Sequence, residues 1–302
     1  MNKLDLKKLP SDIYALLVEI GAQADLKRVP IFLVGGMVRD LILRRPSRDI
    51  DIVVEGDGVL FANELAARWS ANILAHKKFG TAVIERADGF KIDIVTARRE
   101  SYARPGALPD VVPGHIADDL FRRDFTVNAV AVALNKAEFG AVYDDFDGCA
   151  DIKGQVIRVM HYRSFVDDPT RILRAVRYEK RFGFKFDPRT LAVLRQALDE
   201  NAFGAISPKR YFGEFKRILQ EADPRAALRR LALLDGLRYF VYDAGVEAAF
   251  KKILKSKLSG DARWLELFAA LVAALDRESA EQLLVSFSMP RLEKNKILKG
   301  LL

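Results

Sequence analysis

The stretch LVGGMVRDLILRRPSRDIDIVVEG, Leu33–Gly56, decides the fold. It reads as strand, glycine turn, helix and second strand. PIFLV is a short apolar strand, Gly35-Gly36 opens a helix that runs through Leu43, and Pro46 separates that helix from the strand DIDIVVEG. Residues two apart in a strand point to one face, so Asp49 and Asp51 project together while Ile50 and Ile52 pack behind them. Two carboxylates side by side repel unless a cation lies between them. Hard oxygen ligands of this kind suit Mg²⁺, which binds one or two carboxylates together with substrate phosphates. The competing reading is a strand edge paired to Arg48 or Arg39.

The glycines upstream favour the metal reading. At a strand-to-helix turn, Gly35 and Gly36 let the backbone approach a phosphate closely, and the N–H groups of the helix start favour an anion. Arg39, one turn into that helix, adds a charge-assisted contact to the same phosphates. Asp93 in KIDIVTA, flanked by Ile92 and Ile94, is a third candidate carboxylate; the alternative is a polar residue on a half-exposed strand. In DDLFRRDFTVNAVAVAL, Asp124 and Asn128 lie four apart and would share a helix face beside Arg123. An Arg and an Asn there suit triphosphate and ribose, against a capped helix with solvated charges.

Working outward, Ser11 with DIYALLVEIGAQA reads as a capped amphipathic helix ending near Lys27. A helix from about Val59 to Trp69 precedes three short strands with turns at Lys77-Lys78 and Asp88-Gly89. RRESYARPGALPDVVPGH, 98–115, with three prolines and two glycines, reads as a long mobile loop. A helix from about Ile116 and more strand-like sequence follow, through VYDDFDG. From Ser164 onward the pattern turns helical, as in DPTRILRAVRYEKRF, RTLAVLRQALDE, PKRYFGEFKRILQ and WLELFAALVAALD. The fold class expected is α+β, a mixed-sheet head followed by an all-α arm.

Within that arm, Arg171, Arg174 and Arg177 recur every three residues and would form one cationic face. Asp168-Pro169 looks like an N-cap with a first-turn proline. A carboxylate and a guanidinium can also read base edges, one accepting from an exocyclic amine and the other donating to a ring acceptor.

Charge is divided unevenly. Residues 1–150 carry 20 Lys and Arg against 22 Asp and Glu, whereas 151–302 carry 29 against 19, so the net +8 belongs to the second half and points to an anionic partner such as nucleic acid. A single cysteine, Cys149, excludes a disulfide framework or a multi-cysteine metal site and fits a reducing cytosol. No apolar run approaches the ~20 residues of a membrane span, and a cytoplasmic protein is expected. His76, His115 and His161 are the only histidines and none precedes an aspartate, which sets aside a His-Asp phosphohydrolase.

LVGGMVRD, the DID pair, RRDFTVNA and DDPTRILRAVRY, in that order between about Ile31 and Phe186, together resemble the class II tRNA nucleotidyltransferases and bacterial poly(A) polymerases. The resemblance implies a polymerase-β-like head with a five-stranded sheet (1–155), a helical neck that selects the nucleotide (156–225) and a helical body (226–302), with the C-terminal tail reduced or absent. It implies that Asp49 and Asp51 hold two Mg²⁺ ions, and that Gly36, Arg39 and Arg123, with Asp124 and Asn128 beside the last, bind nucleotide. Asp168 and Arg171 would select the base of ATP or CTP without a template, with Arg174 and Arg177 as further nucleotide contacts. The neck motif usually begins with Glu, and Asp167 stands there instead. A loop of the ARxExYxRPG type belongs to family members that add the terminal A. The expected activity is therefore transfer of AMP, and in a full CCA-adding enzyme CMP, to the tRNA 3′ end by two-metal displacement. The alternatives are a poly(A) polymerase with the same head, and an RNA-binding protein that kept the basic arm without catalysis.

Overall fold

In the computed structural model, which describes residues 2–300, the chain forms two units. One comprises the chain to Ala103 and Leu108–His161, the other Arg104–Ala107 and the chain from Tyr162 onward. The first unit is laid out as α1 (Ser11–Lys27), β1 (Ile31–Val34), α2 (Gly36–Ile42), β2 (Ile50–Val54), α3 (Gly58–Arg68), β3 (Asn72–His76), β4 (Thr81–Glu85) and β5 (Lys91–Thr96). It continues through β6 (Arg98–Ser101), β7 (Asp110–Pro113), α4 (Ile116–Phe121), β8 (Ala131–Ala133), β9 (Val142–Tyr143) and α5 (Gly148–Gly154).

Seven of these strands form one sheet in the order β3-β4-β5-β2-β1-β8-β9. The resemblance implied five strands; the sheet has seven, its edges formed by β3 and the two-residue β9. β2 and β5 pair in parallel, and the other neighbouring strands pair antiparallel. β1 lies inside the sheet with both faces covered, which is why its four residues are all apolar and buried. On one face Phe32, Val34 and Val53 pack with Ala129, Ala131 and Ala133 and with Ile116 and Leu120 of α4. Gly21 lets α1 press onto the chain just after β8: a Cβ there would lie 2.1 Å from the Leu134 carbonyl oxygen.

Two local readings change. Ser11 is the first residue of α1 rather than its cap, a position taken by Pro10, which has an extended ψ of 143° and makes no side-chain cap. The segment read as a mobile loop holds a two-stranded ladder, with Arg98 opposite Pro113 and Ser101 opposite Asp110. Its charged RRES strand and flanking prolines carry no apolar alternation, the signal by which strands are recognised.

The second unit is helical apart from a two-residue extended piece at Lys185–Phe186. Its helices are α6 (Ser164–Asp167), α7 (Thr170–Phe182), α8 (Pro188–Asp199), α9 (Pro208–Leu219), α10 (Arg225–Leu233), α11 (Ala244–Leu254), α12 (Gly260–Val272), α13 (Arg277–Ser286) and α14 (Arg291–Lys299). Asp187, Ser207, Asp243 and Asp276 cap four of them through their side chains, and prolines follow the first two caps. An aromatic cluster fills the core: Phe212 stacks on Phe287 at 4.6 Å between centroids and Phe215 on Phe240 at 4.8 Å. No helix among the described residues is long and apolar enough to cross a membrane.

Candidate active site

The site in the first unit grows from the pairing of β2 with β5. Ile50, Asp51 and Ile52 lie in register with Ile92, Asp93 and Ile94. The isoleucines turn to the buried side and are fully enclosed, so the two aspartates stand side by side on the opposite face. Asp49 precedes the strand and is exposed, rather than lying within it as the sequence suggested. The three carboxylates are electrostatically coupled. Burial, followed by the charges of Asp49 and Asp93, outweighs Arg123 and Arg39 and pushes Asp51 up to about 6. Asp93 is raised above the usual carboxylate range, by burial and then by Asp49.

Gly35 makes room for the cations. It turns the chain between β1 and α2 with φ +70°, and a Cβ there would lie 3.1 Å from Arg123 Nη1 and 3.2 Å from Asp51 Oδ2. A guanidinium and a carboxylate therefore flank the space that a side chain would fill. Arg39, in α2 and 5 % exposed, donates from Nη1 to Asn128 Oδ1 at 2.6 Å and from Nε to Asp40 at 2.9 Å. Asn128 in turn donates to Asp124 Oδ1 at 2.9 Å. Asp124 and Asn128 do meet, but not on a helix: α4 ends at Phe121, and a short 3-10 turn at Thr126–Asn128 brings the side chains together. Both are buried, and their contacts fix Arg39.

Arg123 is fixed from a residue that the sequence reading passed over. Asp119, fully buried, accepts from its Nε at 3.2 Å and Nη2 at 2.8 Å. Burial works against the Asp119 carboxylate, but Arg123 and Arg122 outweigh it and hold the group below its ordinary range. The i, i+3 and i, i+4 spacing to two arginines at a helix end was the available signal.

The residues expected to form a neck lie in the second unit. Asp168 follows α6, and three donors converge on its Oδ1: the Thr170 N–H at 3.1 Å, the Thr170 hydroxyl at 2.7 Å and Arg210 Nη2 at 3.0 Å. It thus serves the start of α7 as the sequence suggested, although Pro169 holds the formal cap position. Arg210 also donates to the carbonyl of Gly106, in the RPG segment. Gly106 has φ +65°, and a Cβ would lie 2.5 Å from the Ala205 carbonyl oxygen. Arg171 is buried and donates to Ser164 Oγ at 2.7 Å. Arg174 faces Glu214 at 3.6 Å and Tyr178 OH at 3.2 Å, while buried Arg177 pairs with Glu221 at 3.3 Å and stacks over the Tyr178 ring. The three arginines are therefore matched to acceptors rather than forming an open cationic face, since α9 and its C-terminal end bring acids against them. Asp167 pairs with Arg163 at 3.3 Å.

A magnesium ion fits the chemistry of the head's donors. Among the described residues no three His, Cys, Asp or Glu side chains form a ready cage. Mg²⁺ needs none, since it takes one or two carboxylates and completes its shell with phosphates and water.

The head is of a known type: residues 31–158 match the family described as the Poly A polymerase head domain. The A-adding tRNA nucleotidyltransferase of Halalkalibacterium halodurans is 36 % identical over 300 residues, 97 % of this chain and 70 % of that protein. The A-adding tRNA nucleotidyltransferase of Geobacter sulfurreducens is 42 % identical over 233 residues, 77 % of this chain but only 26 % of that longer protein. A solved tRNA nucleotidyltransferase, in complex with a primer tRNA and an incoming ATP analogue, superposes with TM-score 0.77 at 32 % identity, over 92 % of this chain and 82 % of that one. The chain belongs to the tRNA nucleotidyltransferase family whose head is of the poly(A) polymerase type.

Proposed function

We propose that the chain transfers AMP from ATP to the 3′ end of a tRNA that already carries CC. The observation that carries this reading is the opposition across Gly35 of Arg123 and Asp51, with Asp93 in register beside the latter. It is supported by the A-adding relatives in which 97 % and 77 % of this chain find their match.

In the reaction the tRNA 3′-oxygen attacks the α-phosphorus of ATP. The bond to the bridging oxygen breaks, pyrophosphate leaves, and the hydroxyl proton is lost to solvent. Asp49 and Asp51 would hold Mg²⁺, which when bound offsets the charge gathered on the phosphates and lowers the pKa of the attacking hydroxyl. Asp93 adds a third negative charge to the same ledge. Arg123 and Arg39 bind the triphosphate, with Asp124 and Asn128 keeping Arg39 in place, and Gly35 and Gly36 leave the space that the phosphates enter. No protein nucleophile is required; positioning and charge neutralisation carry the rate. Asp168 and Arg171 read the adenine edge, and Arg174 and Arg177 shape the neck around it. Such an enzyme works in the cytoplasm, on tRNA.

The test supplies tRNAs ending before the first C, after CC and after CCA, each with ATP or CTP alone and with Mg²⁺, and sequences the 3′ ends. One A on the CC-ended tRNA and nothing on the completed one is the expected result. Long A tails would instead make it a poly(A) polymerase. Absence of Mg²⁺-dependent incorporation on every substrate would reduce it to an RNA-binding protein.

A further inference from the structure

Asp119 belongs to none of the groups just assigned, yet it is the most enclosed carboxylate near the site. Its two oxygens are divided between two arginines. Oδ2 takes Nε and Nη2 of Arg123, and Oδ1 takes Nε at 2.9 Å and Nη2 at 2.7 Å of Arg122. The second arginine is itself held: Glu100 on β6 accepts from Arg122 Nη1 at 3.3 Å, and also from Arg98 and the Tyr102 hydroxyl. The carboxylate plane of Asp119 is thereby set from one side before Arg123 engages the other.

We infer that Asp119 is a positioning residue for nucleotide binding, which acts by locking Arg123 side-on so that Nη1 is the edge presented to the triphosphate. A long arginine side chain otherwise loses considerable rotamer freedom when it meets a ligand, and a guanidinium grips phosphate only at a fixed orientation. Here the fork through Nε and Nη2 has been occupied in advance, and Nη1 lies against the open side of Gly35. Its other contact is long, 3.4 Å to the Asn128 carbonyl. The inference rests on the assignment of Arg123 to the triphosphate.

The experiment measures equilibrium binding of MgATP without tRNA, together with KM and kcat for ATP on CC-ended tRNA, in the full chain. Asp119→Asn replaces one acceptor oxygen by a donor facing guanidinium hydrogens. It should weaken MgATP binding and raise KM about tenfold or more, with a smaller change in kcat. On an Arg123→Gln background the same change should add nothing, because the residue it orients has gone. A folded Asp119→Asn protein with wild-type affinity, or a loss that persists undiminished beside Arg123→Gln, overturns the inference. Should Asp119→Asn not fold, Arg123→Lys decides. It keeps the charge but cannot take the side-on fork, so it should bind MgATP as poorly as Arg123→Gln, and wild-type affinity would overturn the inference. A wild-type chain that binds MgATP without extending tRNA defeats the functional proposal alone, and the affinity ratios still decide the role of Asp119. If wild type binds no MgATP, both fall.

Discussion

The two charged sites treat their charges in opposite ways. In the head, carboxylates crowd one another, and burial and Asp49 outweigh Arg123 and Arg39 to hold Asp51 near 6, an arrangement that a bound cation would relieve. In the helical unit, Arg171, Arg174 and Arg177 each already face a hydroxyl or carboxylate, and Asp168 collects three donors on one oxygen. Metal-dependent chemistry gains from the first condition, because unrelieved repulsion favours ligand entry. The base selection proposed for Asp168 and Arg171 would gain from the second, because a satisfied network holds its reading groups at fixed angles.

Asp51→Asn gives the largest separation of the two regions. Incorporation should fall by roughly 10³-fold, while stability in metal-free buffer at neutral pH rises by on the order of 2 kcal/mol. The sign follows from the folded value of about 6 lying above the ordinary 3.8. Holding Asp51 ionised opposes folding fully above the upper value and not at all below the lower one. Chemical denaturation at pH 8 and pH 3 should show the gain at pH 8 only, and an equal gain at both would refute the electrostatic account.

Mg²⁺ itself comes next. Adding millimolar Mg²⁺ should raise the melting temperature of the wild-type chain at pH 8, and Asp51→Asn should lose most of that shift. A variant that kept the full shift would move the metal elsewhere.

Arg210→Gln probes the satisfied site. It removes a charged hydrogen bond to Asp168 and another to Gly106, an effect of about 1–3 kcal/mol, and should narrow the preference for ATP over CTP while MgATP still binds the head. Unchanged selectivity would separate Arg210 from base reading.

The smallest effect is expected at Glu247, which joins α10 to α11 through Arg229 at 2.8 Å and Tyr242 at 2.6 Å. Hydrogen bonds from Arg229 and then Tyr242 lower its carboxyl to about 2, below the ordinary 4.5. Its contribution is therefore complete above pH 4.5 and lost as pH falls toward 2. Being on the surface and screened, it amounts to at most about 1 kcal/mol. Glu247→Gln should lose that much at pH 7 and nothing near pH 2 in urea melts.

What the sequence revealed of these regions follows the range of its signals. Asp49, Asp51, Gly35, Arg39 and Arg123 stood out because each lies in a short run whose neighbours state its geometry: alternating isoleucines, paired glycines, a doubled arginine. Asp93 was as readable locally, but only the parallel pairing of β5 with β2 shows that it stands beside Asp51. The hairpin at β6 and β7 was hidden by charges and prolines. Asp124 and Asn128 were placed on a helix because four-residue spacing suggests one, whereas a 3-10 turn also brings such residues together. Arg210 was invisible because its partners lie 42 and 104 residues away.

The repeated Ile-Asp-Ile of β2 and β5 also bears on how the chain reaches its native state. The two segments are joined in parallel across a long excursion through α3, β3 and β4, so their alignment is a non-local and therefore slow event. A slip by one residue would set Asp93 among the enclosed isoleucines and turn Ile92 and Ile94 outward. That misalignment would be penalised by burying the Asp93 charge. The alternation thus opposes the one-residue slip, and correct threading of the sheet is what sets Asp51 and Asp93 side by side.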